Sequence, residues 1–114
     1  MKFAFLLYGD SKVWENATPE ERAEIYAAHG RFFETLTARN AFVAGQELAL
    51  PEEAMTVRES DGLAVAGPFT EVAEHLGGFY VVEARDMDDA VALARMLPGN
   101  VEIRPVVEQE GGMS

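Results

Sequence analysis

The sequence predicts an α+β domain on the ferredoxin-like plan, βαββαβ with an inserted hairpin. Three observations carry this. A strand, a long amphipathic helix and a second strand fill the first half, and the same order returns in the second half. Between the halves, Asp61-Gly62 separates two short apolar runs, a strong tight-turn signal. Only two helices of useful length are available, enough to cover one face of a sheet and not both.

The elements follow in order. Residues 2–9 read as a strand with Phe3, Phe5 and Leu7 on one face and Ala4, Leu6 and Tyr8 on the other. Both faces are apolar, so both call for cover. Residues 10–17 read as a loop holding the single tryptophan, Trp14. Thr18-Pro19-Glu20-Glu21 starts a helix, because Thr18 caps, Pro19 suits the first helical position and Glu21 completes a capping box. The helix runs to about Arg39, with Asn40 as a left-handed stop. Ile25, His29, Phe32 and Leu36 form its buried stripe, widened by Tyr26 and Phe33.

Residues 41–48 form a second strand, relieved by Gly45. Residues 55–59 and 63–66 form the hairpin, and 70–76 read as one or two helical turns. Residues 78–84 are a further strand. Asp86 opens the second helix, whose buried face is Ala90, Leu93, Ala94 and Leu97. Pro98-Gly99 ends it, and 101–107 is the last strand. The domain thus spans 1–107, and 108–114 read as a mobile tail.

Composition bounds the function. The 114 residues make one domain, with 48% apolar and 25% charged side chains, the balance of an ordinary globular protein. No apolar run approaches the roughly 20 residues of a membrane span. The apolar start is broken by Gly9 and Asp10, unlike a signal peptide, so the expectation is a cytoplasmic protein. There is no cysteine, which excludes disulfides, thiolate catalysis and cysteine-bound metals. A net charge of −11 with dispersed arginines argues against nucleic-acid and anionic-membrane partners. No cofactor is expected.

Several residues are candidates for chemistry. His29 stands where the helix stripe calls for a hydrophobe. It is either a hydrogen-bonded core histidine or a general acid or base in a cleft. Glu102 and Arg104 share one face of the last strand, as an ion pair or with Arg104 gripping an anionic ligand. Arg58 is a second arginine for that role. Tyr8 and Tyr80 end neighbouring strands and are candidates to line one cleft, and Asp10 is either a catalytic carboxylate or a turn residue. Glu71 and His75 are spaced for one helix face, yet no third ligand accompanies them, so no metal is expected. Gly77-Gly78 precedes a strand rather than a helix, which suits close backbone packing and not phosphate binding.

One long segment is distinctive: Ala66-Gly-Pro-Phe-Thr-Glu-Val-Ala-Glu-His-Leu-Gly-Gly-Phe-Tyr80. With Leu7-Tyr8-Gly9-Asp10, the His29 helix, Val43-Ala-Gly45, Val57-Arg58 before Asp61-Gly62, and Val101-Glu-Ile-Arg-Pro105, it resembles the YCII-related family, in particular the DGPF branch. The resemblance covers nearly the whole chain. It implies a dimeric αβ barrel, two sheets face to face, which agrees with the uncovered apolar face of the first strand. It also implies a helix histidine, matched by His29, paired with an aspartate just before a proline. Leu97 stands before Pro98 instead, so Asp10 or Glu102 is left to substitute in space. The namesake aspartate is replaced by Ala66, and the lysine usual between the two glutamates by Ala73.

These residues predict a homodimer that binds a small molecule, an anion where an arginine grips it, in a cleft near His29. The alternatives are an acid–base or hydrolytic enzyme using His29 with an arginine anchor, and a regulatory accessory protein. The last rests on relatives encoded beside alternative sigma factors. The missing carboxylate partner favours binding over catalysis.

Overall fold

The computed structural model describes residues 1–70 and 72–108. Its elements are β1 (Lys2–Asp10), α1 (Ser11–Glu15), α2 (Pro19–Ala38), β2 (Phe42–Glu47), a 3-10 turn (Pro51–Glu53), β3 (Met55–Val57), β4 (Ala64–Ala66), β5 (Glu74–Glu83), α3 (Met87–Ala94) and β6 (Asn100–Pro105).

Local chemistry fixes the helix ends. Thr18 Oγ1 accepts from the Glu21 amide at 3.1 Å, and the Glu21 carboxylate accepts from the Thr18 amide at 2.9 Å. Two of the orphan donors at the start of α2 are thereby satisfied. Asn40 closes the other end with φ of 54°, the left-handed conformation that asparagine tolerates. Asp86 caps α3 by accepting from the Asp89 amide at 2.9 Å.

The main sheet has the order β2-β5-β1-β6, with each neighbouring pair antiparallel. That is the ferredoxin-like arrangement, with β3 and β4 as a separate two-stranded hairpin. The register places Phe3, Phe5 and Leu7 on the same face as Tyr80, Val82, Val101 and Ile103. The helices cover this face. Phe3, Phe5, Phe32, Leu36 and Val82 are fully buried there, and α3 adds Ala90, Leu93 and Ala94, with Leu97 just beyond it. A corner is locked by buried Asp89, which accepts from Arg39 Nη2 at 2.6 Å and from the Arg85 amide at 3.0 Å. Those two partners hold its carboxyl well below the usual carboxylate range.

The opposite face carries Ala4, Leu6, Phe79 and Val81, all half-buried. The anticipated barrel is corrected here. The sheet is open: β2 pairs only with β5 and β6 only with β1, so each has a free edge among the described residues. Closure requires the edge strands to meet, and among the described residues nothing brings them together.

Two segments also differ from expectation. Within 10–17, Ser11–Glu15 are helical, because the Asp10 carboxylate caps them through the Lys12 amide at 2.9 Å. The helical turns expected over 70–76 are absent among the described residues. Instead β5 begins at Glu74, drawn into pairing with Tyr8–Asp10. The expected tail at 108–114 falls, beyond Glu108, outside the described residues.

Candidate functional site

A polar cluster sits where α2 crosses β5 and β2. Tyr80 faces the helices and lies opposite Gly45 in β2. A Cβ on Gly45 would lie 2.6 Å from Cδ1 of the Tyr80 ring, so only glycine leaves the ring its place. Phe32 packs edge-on against Tyr80 at 4.9 Å between ring centres. With the ring so wedged, the Tyr80 hydroxyl meets His29 Nδ1 at 2.7 Å.

Two more residues complete the cluster. Glu47 follows Gly45 by two on β2 and so shares its face. Tyr26 precedes His29 by three on α2 and donates its hydroxyl to the Glu47 carboxylate, at 3.2 and 3.3 Å. Tyr26 is braced from α1. Trp14 meets it edge-on at 5.5 Å, and Arg22 lies over the Trp14 ring while donating to the Trp14 carbonyl at 2.9 and 3.2 Å.

The electrostatics follow from burial. His29 is half-buried, and desolvation lowers its pKa from the ordinary 6.5, partly offset by the Glu47 carboxylate. Burial raises the Tyr80 pKa in the same way. Near neutral pH, then, a neutral imidazole is bonded to a neutral phenol. Either tautomer satisfies that bond. Nε2 remains for a ligand, as donor in one tautomer and acceptor in the other.

The other candidates lie elsewhere. Tyr8 falls on the opposite face of the sheet from Tyr80, paired in register with Leu76 and Asn100. Asp10 spends its carboxylate capping α1. Arg58 is bound to Asp61 within the hairpin, at 2.6 Å. Arg104 pairs with Glu102, exposed on the face away from His29. Leu97 is buried in the core. None of these carboxylates orients His29, and neither Arg58 nor Arg104 stands at the cluster. Glu71 lies outside the described residues. Among the described residues no group of three metal-ligating side chains exists, and no helix is long and apolar enough to cross a membrane.

Sequence reasoning missed Tyr26 and Glu47. Tyr26 read as part of the apolar arc. Its spacing of three from His29 was the available signal, since it puts both on one helix face.

The chain is 28% identical over 120 residues to an uncharacterised protein of Rhizobium meliloti, an alignment covering 98% of this chain and 97% of that one. Residues 1–110 match the model of the YCII-related domain. A match of that extent, on a ferredoxin-like sheet with a histidine-centred polar cluster, shows that the chain belongs to the YCII-related domain family.

Proposed function

We propose that the protein binds a small polar molecule at the His29–Tyr80–Glu47 cluster and works as a homodimer. The observation that carries the first part is the 2.7 Å bond from Tyr80 to His29 Nδ1, which fixes a half-buried imidazole and leaves Nε2 to a ligand. Binding is favoured over catalysis because, among the described residues, no carboxylate is bonded to the histidine. The expected anion changes with the same geometry. Glu47 supplies negative charge, while Arg58 and Arg104 are engaged elsewhere. The ligand is therefore one bearing hydrogen-bond donors, neutral rather than anionic.

The second part is supported by the uncovered sheet face, where Leu6, Phe79 and Val81 are half-buried with no helix over them among the described residues. Pairing such faces between two copies would bury them without closing the sheet edges.

NMR of the imidazole tests the site. His29 should titrate below 6.5, its direction of shift. The sign for stability follows. The unfolded chain takes up the proton first, so stability from this group is full above about 6.5 and declines as pH falls through the folded pKa. Neutral polar metabolites that shift the His29 resonances should raise the melting temperature of wild type and not of His29→Gln or Tyr80→Phe. A panel leaving those resonances unmoved, in a folded protein, defeats the site. Light scattering at micromolar concentration tests the dimer, and a stable monomer there defeats it.

A further inference from the structure

A cleft lies on the side of the sheet away from the histidine cluster. We propose that it takes an organic cation with an apolar body, such as an alkylammonium. The cleft encloses about 550 Å³ between the end of the sheet and the crossing from β2 to β3. That volume falls within the roughly 300–1,000 Å³ of small-molecule sites. Tyr8, Leu50, Pro51 and Leu76 give it apolar walls, and Glu53 and Glu74 supply charge.

Several features select the charge of the occupant. No lysine or arginine is among the described residues lining the cleft, where the one basic side chain is His75. Neither Glu53 nor Glu74 is in an ion pair among the described residues. Glu74 is nevertheless held in place, because Asn100 Nδ2 donates to its two oxygens at 2.9 and 3.1 Å. A carboxylate has about four acceptor positions, so this bond leaves acceptors free. The Tyr8 ring adds an aromatic wall, which favours a cation over an anion or a neutral chain. The overall charge of −11 acts in the same direction at long range.

The site is independent of the histidine cluster. Tyr8 and Leu76 pair on the face turned away from α2, whereas Tyr80 faces α2. The two sites can therefore be lost separately.

The test is calorimetric and NMR titration of the full chain with hexylammonium, hexanol and hexanoate. Hexylammonium should bind saturably, shift Tyr8 and Leu76, and weaken as salt is raised. Hexanol and hexanoate should bind at least tenfold more weakly. Glu74→Gln should lose about tenfold in hexylammonium affinity with an unchanged melting temperature, since a glutamine oxygen still accepts from Asn100. Glu53→Gln provides a second loss from a position outside the sheet ladder. His29→Gln should leave hexylammonium binding as in wild type. Equal binding of the three probes, no saturable binding, or retention of affinity in both glutamine variants would overturn the assignment.

Discussion

The two faces of the sheet are built from the same strands and end in different states. On β1, Phe3 and Phe5 are fully buried beneath the helices, while Ala4 and Leu6, their immediate neighbours, remain half-exposed. The difference is one of cover, not of sequence character. α2 and α3 supply Phe32, Leu36, Ala90 and Leu93 to one side. The other side has apolar side chains with no helix upon them among the described residues. Apolar alternation thus reports which residues want burial, and the supply of covering elements decides which obtain it.

The largest test of this contrast is Phe32→Ala set against Val81→Ala. Phe32 has no exposed surface and touches both Phe5 and Tyr80 rings, at 6.0 and 4.9 Å between centres. Its truncation should cost roughly 3–5 kcal/mol in denaturant unfolding. Val81, on the uncovered face, should cost about 1 kcal/mol or less. Equal losses would mean that the second face is as well packed as the first.

A smaller effect is expected from Gly45→Ala. The added methyl would meet the Tyr80 ring at 2.6 Å, and that ring is fixed by Phe32 and by the bond to His29. Overpacking of this kind costs roughly 1–3 kcal/mol. The expected signature is a lowered melting temperature together with a moved His29 resonance. A lowered melting temperature with His29 unmoved would detach the glycine from the site.

Much of this was legible in the sequence, for reasons that differ by residue. The start of α2 is local chemistry, since Thr18 and Glu21 satisfy each other three residues apart. The turn at Asp61-Gly62 is equally local, with Gly62 at φ of 70°. The helix at Ser11–Glu15 was missed because Asp10 was read as a turn residue rather than a cap. Residues 74–76 were misread as helical because their pairing with β1 outweighs local helical preference. The candidate site was legible only in part. His29 stood out as a polar interruption of an apolar stripe, but its partner Tyr80 is 51 residues away, and Glu47 is 21 from Tyr26. No spacing rule joins residues across a β-sheet crossing. The barrel failed for a related reason. An uncovered face says that something covers it, not that the edges of the sheet meet.

The smallest expected effect sharpens the comparison most. Arg104 and Glu102 sit two apart on β6, pair with each other, and lie on the uncovered face, with side chains 70% and 41% exposed. An exposed pair between long side chains is screened by water and salt, and it contributes about 0–1 kcal/mol. Arg104→Gln should therefore barely change the unfolding midpoint of a dilute, monomeric sample, and added salt should reproduce whatever change occurs. The same pair inside an interface behaves differently. Removing one partner there strands a carboxylate against apolar neighbours, and the cost rises with the degree of desolvation. The informative measurement is thus the midpoint of Arg104→Gln as a function of protein concentration. A deficit that grows with concentration would place the uncovered face inside a contact between copies. A deficit absent at every concentration would leave Leu6, Phe79 and Val81 facing water.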